Sequence, residues 1–361
     1  MGITCGIVGL PNVGKSTLFN ALTAAGAVAA NYPFATVDPN VGVAVVPDPR
    51  LDEIAAIAKP KGVVPTAIEF TDIAGLVAGA STGEGLGNQF LGHIRDVDAI
   101  AQVVRVFDDP NVVHVGGRVD PVADIETIHT ELALADLGTA ERAHDRLSRR
   151  VKSVDPDAAA ALAVVEKLES ALAAGHPARS VELTAAEQPH ARELHLLTAK
   201  PMLIVANVDE ASAESDLDAL RERAAADGTE MVVIHGQTEA EIAELPIEER
   251  GEFLAELGLD EPGLHKVIRA AYRALGLSTF FTVNEKEARA WTFRTGARAP
   301  QAAGQIHTDF QRGFIRAEVV NHTDYVACNG EAGAKRAGKW RLEGKDYVVQ
   351  EGDIILFRFN V

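Results

Sequence analysis

The chain has 361 residues, of which 47% are hydrophobic and 24% charged, and a formal net charge of −18 at pH 7. That length exceeds one compact core and implies two or three domains, and the acidity argues against general, non-specific nucleic-acid binding. No apolar run reaches bilayer-spanning length, the N-terminus enters a strand-like segment without a basic leader, and two cysteines make no disulfide framework, so a cytoplasmic protein without a membrane partner is expected.

Thr4–Val8 reads as a short buried strand in which Cys5 is a packed small hydrophobe. Gly9-Leu10-Pro11-Asn12-Val13-Gly14-Lys15-Ser16-Thr17 follows and fits G-x-x-x-x-G-K-[ST], with a helix opening at Ser16–Leu22. Strand, glycine-bounded loop and helix in that order form an anion cradle. The curled backbone points its N–H groups inward, and the helix N-terminus adds positive dipole. Asn12, Val13, Gly14, Lys15, Ser16 and Thr17 are therefore the candidate phosphate-binding residues. Lys15 would reach the β- and γ-phosphates, and Ser16 would ligate Mg²⁺.

Ala30–Asn40 is rich in turn formers and reads as a loop. In this context Thr36 is the candidate for the metal and γ-phosphate; without the upstream loop it would pass for a surface threonine. Val41–Val46 is an expected strand, Arg50–Ala58 a helix and Ala67–Asp72 a strand, which ends in Asp72-Ile73-Ala74-Gly75. An Asp at a strand's end with Gly three residues on is the second half of a nucleotide switch, Asp72 toward Mg²⁺ and the Gly75 N–H toward the γ-phosphate. Leu76 stands where Ras-like enzymes carry a water-orienting Gln, and leucine cannot hydrogen-bond water. The glycines of Ala78–Asn88 predict a loop ordered by nucleotide. Gln89–Arg95 reads as helix and Ala99–Phe107 as a buried strand. His114 is a candidate for orienting water, although a lone His is more often structural.

From Asp120 the character changes. Asp124 to about Lys152 carries apolar residues at helical spacing, Ser153–Asp157 breaks it, and a second helix runs over about 157–174. Two helices joined by a short turn predict an antiparallel arm with cations at Arg142, Arg146, Arg149, Arg150 and Lys152. Strand-helix alternation then resumes with Pro201–Ala206 and Met231–Ile234, so the arm is inserted into a nucleotide domain with a parallel sheet. Gly263–Leu275 reads as helix. Beyond Leu277, strands are expected at Phe280–Val283, Gly313–Val320, Asp346–Val349 and Asp353–Phe359, the last two as a hairpin around Gln350-Glu351-Gly352. This makes a small α+β domain with a basic stretch at Lys335, Arg336, Lys339, Arg341 and Lys345.

The base-recognition segment is Asn207-Val208-Asp209-Glu210. GTPases of this class carry N-K-x-D, whose Asp accepts two hydrogen bonds from guanine. Here Val208 replaces the Lys, and the longer Glu210 replaces the Asp. A carboxylate displaced by one methylene loses that bidentate pair, so guanine specificity should be lost and ATP favoured.

Gly9–Thr17, Asn31–Asn40, Asp72–Leu76, Asn207–Glu210 and Arg289-Ala290-Trp291-Thr292, together with Ala299–Gly304 and Ile306–Phe310, resemble the Obg-like ATPases of the YchF family, in the translation-factor class of P-loop NTPases. The resemblance spans essentially the whole chain. It implies an α/β G domain (1–123 and 200–277), an inserted α-helical coiled-coil-like arm (124–199) and a C-terminal α+β TGS domain of β-grasp type (278–361). It also implies Mg²⁺-dependent ATP hydrolysis to ADP, and ribosome binding through the basic arm and the TGS domain. By position it carries over Asn12–Thr17 as phosphate loop, Ser16 and Thr36 as metal ligands, and Val208 beside the base. His235-Gly236-Gln237 departs from the family pattern, which has a small residue followed by Ala. A monomer is expected, with K⁺ an open companion ion. Two rivals are a GTPase and a mainly non-hydrolysing ATP-binding regulatory module, the latter favoured by Leu76. A metabolic kinase would need an acceptor pocket with an acid/base set, and none stands out.

Overall fold

The computed structural model describes residues 3–27, 40–75, 86–151 and 155–360. Thr36, Leu76, Lys152 and most of the glycine-rich stretch after Gly75 lie outside them. The elements in chain order are β1 (Thr4–Val8), α1 (Lys15–Ala27), β2 (Val41–Val45), α2 (Pro49–Ala58), β3 (Gly62–Val64), β4 (Ala67–Asp72), α3 (Leu86–Asp96), β5 (Ala99–Arg105), α4 (Pro121–Val151) and α5 (Pro156–Ala173). Then come α6 (Gln188–Arg192), β6 (Met202–Asn207), α7 (Glu214–Ala226), β7 (Glu230–Ile234), α8 (Gly236–Glu244), α9 (Ile247–Glu256) and α10 (Gly263–Ala274). The C-terminal part adds β8 (Leu277–Val283), β9 (Glu287–Arg294), α11 (Ala299–Ile306), α12 (Thr308–Arg312), β10 (Phe314–Asn321), α13 (His322–Ala327), α14 (Glu331–Arg336), β11 (Arg341–Glu343) and β12 (Asp353–Phe359).

Two units compose the chain, one of Met1–Ala44 with Glu69–Ala271, the other of Val45–Ile68 with Tyr272–Val361. The first holds a sheet ordered β2-β4-β1-β5-β6-β7, in which β4, β1, β5, β6 and β7 pair in parallel. Every residue of β5 and β6 is buried. Helices on both faces of a parallel sheet explain why these strands are apolar runs rather than alternations.

The helix α4 serves two cores. Its first turns place Ile125 among Val104, Ile204 and Leu220, whereas Ala140, Ala143 and Leu147 pack with Val165, Leu168 and Leu172 of α5. The arm is thus a continuation of a helix that already belongs to the sheet, and that helix begins at Pro121, ahead of the expected Asp124. At the changeover, buried Asp136 accepts from the Leu197 N–H at 2.8 Å and from the Thr198 N–H and hydroxyl, both at 2.7 Å. The entry to α5 is capped by Asp155, which accepts from the N–H groups of Asp157 and Ala158, with Pro156 following.

In the second unit the sheet runs β11-β10-β12-β8-β9-β3. The pairs β8–β9, β10–β12 and β10–β11 are antiparallel, and β12–β8 and β3–β9 parallel. Consecutive residues point to opposite faces. Phe280 packs with Phe293, Phe357 and the alanines of α11, and Phe281 with Leu51 and Ile54 of α2. The grouping of 45–68 with the C-terminal half, and not with the nucleotide domain that spacing assigned it to, follows from this: α2 covers one face of the sheet and β3 adds a strand to it.

The expected hairpin is absent. Asp346–Val349 forms no ladder strand, Val348 making one isolated bridge to Arg298, and the neighbours of β12 are β10 and β8. The turn before β12 closes on Asp353 instead, whose carboxylate accepts from the Gln350 N–H at 2.9 Å and the Tyr347 hydroxyl at 2.7 Å. β9 carries no apolar run, so hydrophobic patterning gives no signal for it.

Candidate active site

The loop between β1 and α1 wraps tightly on the ends of its neighbours. Gly14 sits at φ +97° and Asn12 at φ +64°, left-handed values that suit glycine and are tolerated by asparagine. A Cβ on Gly9 would stand 2.6 Å from the Val103 carbonyl oxygen of β5, and one on Gly14 2.3 Å from Asn207 Nδ2. Both glycines are therefore required by close approach.

Lys15 is buried and donates from Nζ to the Leu10 carbonyl at 2.8 Å. Burial pulls its ammonium below the ordinary lysine value, a shift that Asp72 partly offsets. Gly75 comes against the same loop: a Cβ there would lie 3.0 Å from Lys15 Nζ and 3.2 Å from the Pro11 nitrogen. Ser16 Oγ donates to Asp72 Oδ2 at 3.2 Å, while Asp72 Oδ1 is buried without a hydrogen-bond partner. Burial raises the Asp72 carboxyl, opposed by Ser16 and Lys15. A hydroxyl beside a half-buried carboxylate with one unpartnered oxygen is the hard oxygen donor set that suits Mg²⁺. Sequence positions 15, 16, 72 and 75, scattered over 60 residues, thus meet at one point; Thr36 lies outside the described residues.

The base-side residues divide differently. Asn207 accepts from the Gly236 N–H at 2.9 Å and donates to the Val13 carbonyl at 3.1 Å, so it ties the phosphate loop to the start of α8. That contact gives Gly236 its reason, since a Cβ there would stand 2.7 Å from Asn207 Oδ1. Val208 is 7% exposed and belongs to the hydrophobic layer that includes Val106 and Leu217. Asp209 accepts from the Ala211 N–H at 3.1 Å and the Ser212 hydroxyl at 2.7 Å, and these bonds, the Ser212 hydroxyl first, hold its carboxyl below the usual range. Glu210 is exposed.

His114 is buried with both ring nitrogens engaged: Nδ1 accepts from the Gly116 N–H at 3.1 Å, and Nε2 faces Asp124 Oδ2 at 3.0 Å. The Nδ1 contact requires an acceptor there, so Nε2 carries the proton and donates to Asp124. Asn12 Nδ2 donates to the Val113 carbonyl at 3.1 Å, which couples this loop to the phosphate loop. Sequence reasoning missed Arg105, which organises the segment. Arg105 is 1% exposed and donates to the carbonyls of Phe107, Val112 and Asp109. Its signal was available, a lone cation closing an otherwise neutral, largely apolar strand.

The basic stretches differ in kind. Arg142, Arg146, Arg149 and Arg150 are exposed on α4, with Arg150 paired to Asp155 at 2.8 Å. In the C-terminal unit Lys335 pairs with Glu331, Lys339 lies 3.4 Å from Asp324 and Arg341 donates to Tyr347 at 3.1 Å. Among the described residues no helix is long and apolar enough to cross a membrane.

Full-length relatives decide the family. The chain is 57% identical over 366 residues to the ribosome-binding ATPase YchF of Bacillus subtilis (strain 168), and 56% over 363 residues to that of Escherichia coli O157:H7, with 100% of each chain covered. The chain belongs to the YchF family. The family's C-terminal model, described as a protein of unknown function, matches residues 277–360, and a model described as 50S ribosome-binding GTPase matches residues 4–131. A solved structure of the Schizosaccharomyces pombe YchF GTPase has a TM-score of 0.88 at 38% identity and covers 99% of this chain and 98% of its own. A GTP-binding protein from Pyrococcus horikoshii OT3, at 20% identity and TM-score 0.62, shares the fold. The fold is thus that of a P-loop nucleoside triphosphatase joined to the YchF C-terminal domain, as the resemblance implied.

Proposed function

We propose that this YchF-family chain is a Mg²⁺-dependent ATPase that hydrolyses ATP to ADP, and that nucleotide controls its binding to the ribosome. The observation that carries this reading is the meeting of Lys15, Ser16, Asp72 and Gly75 around one glycine-bounded loop at a helix N-terminus. Backbone N–H groups of 12–17 would hold the phosphates, Lys15 would meet their β/γ oxygens, and the Gly75 N–H would face the γ-phosphate. Ser16, Asp72 and Thr36 would hold Mg²⁺, which when bound neutralises phosphate charge.

ATP preference is supported by the base-side turn. Asp209 is committed to its own turn, and Glu210 is one methylene too long for the two-point acceptor that guanine needs. Ribosome binding is supported by the printed names of the relatives and by the arginine row on α4. As a functional division we propose a nucleotide domain (1–123 and 200–277, with 45–68 in it by chain order although this segment packs with the second unit), an arm (124–199) and a C-terminal domain (278–361), in a cytoplasmic monomer.

A second reading, an ATP-holding regulatory module with slow turnover, is favoured by the two engaged nitrogens of His114. Steady-state ATPase with and without ribosomes, in K⁺ and in Na⁺, separates the two. The enzyme reading expects ribosome-stimulated turnover that Lys15→Ala abolishes, and turnover equal to the Lys15→Ala background in every condition would overturn it. Competition between ATP and GTP tests the base, and a tight GTP preference would refute ATP specificity. Reversal of Arg142, Arg146 and Arg149 to Glu should reduce ribosome co-sedimentation, and unchanged pelleting would remove the arm from the interface.

A further inference from the structure

A second cavity, of about 450 Å³, opens at the foot of the helical arm, within the first unit. Its walls come from α4, the end of α5, the short turn Ala178–Ser180, the start of β6 and the last turn of α7. Three polar atoms of its lining are buried without a hydrogen-bond partner: Arg179 Nη2, Arg223 Nε and Asp227 Oδ2. Arg223 and Asp227 neutralise each other through a 2.9 Å contact between Nη1 and Oδ1. Arg179 donates from Nη1 to the Thr198 carbonyl at 3.4 Å and shares the Asp227 charge only at longer range, without a hydrogen bond to it. His129 adds no charge at neutral pH, because burial holds its imidazole down at about 4, and its ring nitrogens lie 3.6 Å from Asp227 and 3.2 Å from Met202 Sδ. The interior therefore carries one net positive charge, with two guanidinium nitrogens lacking an acceptor, and Glu126 stands exposed at the rim. Leu137, Leu172 and Met202 supply an apolar wall.

Buried guanidinium N–H groups without acceptors are costly, and their planar geometry suits a two-oxygen anion. An apolar wall beside a few convergent polar groups is the make-up of a small-molecule site. We propose that this cavity binds a small organic monocarboxylate, its carboxylate on Arg179 and Arg223 and its apolar body against Leu137, Leu172 and Met202. The single net charge and the nearby Asp227 oxygen select a monoanion over a phosphate dianion, because a second negative charge would face Asp227 without a partner.

Met202 makes the site observable. The chain has three methionines, Met1, Met202 and Met231, so ¹³C-methyl-methionine NMR of the full chain gives a three-resonance spectrum, assigned with Met202→Leu. Titration with hexanoate should shift the Met202 methyl saturably, in the wild type and equally in Lys15→Ala. Arg179→Gln and Arg223→Gln should each weaken binding about tenfold, as expected for a lost charge-assisted hydrogen bond. Thr130→Trp, at an exposed position of the lining, keeps every charge and should block entry, which guards against a variant that merely fails to fold. Hexanol and hexyl phosphate should bind more weakly than hexanoate. No saturable Met202 shift, or equal affinity in the folded Arg179→Gln/Arg223→Gln double variant, would overturn the site. Loss of the shift in Lys15→Ala would move the probe to the phosphate loop, and hexanol or hexyl phosphate binding as tightly as hexanoate would overturn the carboxylate assignment.

Discussion

The two six-stranded sheets use the same strand chemistry to different ends. In the first, β5 and β6 are buried at every position, and the strand ends deliver Gly9, Asp72, Arg105 and Asn207 to the phosphate loop and its neighbours. In the second, Phe280 and Phe281 serve separate cores on opposite faces, while Ile315 (55%), Leu342 (64%) and Leu356 (36%) stay exposed. The first sheet couples packing to chemistry, because a shift of a strand end moves a site residue. The second should tolerate local change on one side, because β10, β11 and β12 each keep a hydrophobic side chain exposed.

The sharpest way to break this contrast is at the phosphate loop. Lys15→Ala should lower ATP turnover by at least about 100-fold, the scale of losing one preorganised charge at a developing anion. Gly14→Ala should abolish nucleotide binding as well, because φ +97° and a 2.3 Å approach to Asn207 Nδ2 leave no room for a methyl group. Normal ATP affinity in Gly14→Ala, measured by calorimetry, would mean that the loop is not tightly built.

Denaturant melts test the packing. Ile204 is fully buried on β6, and Ile204→Ala should cost about 3 kcal/mol. Leu356→Ala, on the exposed side of β12, should cost under about 0.5 kcal/mol. Similar losses at the two sites would erase the distinction.

An intermediate effect is expected at the root of the arm. Asp136→Ala leaves the Leu197 and Thr198 N–H groups without their acceptor and should cost about 2 kcal/mol, with partial rescue by Asp136→Asn, which keeps one acceptor oxygen. No change in the melt would detach the clamp from arm stability.

The smallest effect is in pH dependence, where the sheets should have opposite signs. Hydrogen bonds from Arg358 and Trp340 hold the Glu318 carboxyl of β10 below its unfolded value near 4.5. Its contribution is present above that pH and lost as acid protonates it, so Glu318→Gln should flatten the acid limb of Tm against pH. Burial raises Asp72 instead, so its ionised form opposes folding at neutral pH and relief comes as pH falls through the raised value. Asp72→Asn should therefore gain Tm at pH 7, with the gain shrinking on acidification. Parallel shifts of the two variants would refute the opposition.

The residues that meet at the phosphate loop could be picked out from the sequence. Gly9–Ser16 and Asp72–Gly75 carry their chemistry in residue type and spacing, since a cradle for phosphate needs glycine, lysine and a hydroxyl in a set order. The buried parallel strands were equally plain, because two-sided burial demands an apolar run. The contacts of Asn207, Val208 and His114 were not: that an asparagine stitches two loops, a valine packs with Val106 and Leu217 and a histidine engages both nitrogens is settled by distant partners that spacing does not display.

By itself the amino-acid order determined the nucleotide-binding half, the helical arm and the YchF resemblance, because local geometry and ligand chemistry act through near neighbours in the chain. Only the tertiary structure decided that 45–68 packs with the C-terminal sheet, that the segment before β12 is a turn closed by Asp353, and that Arg179 and Arg223 share a cavity. Those outcomes depend on which distant faces meet, and hydrophobic burial selects a partner by shape and area, quantities that no short stretch of sequence displays.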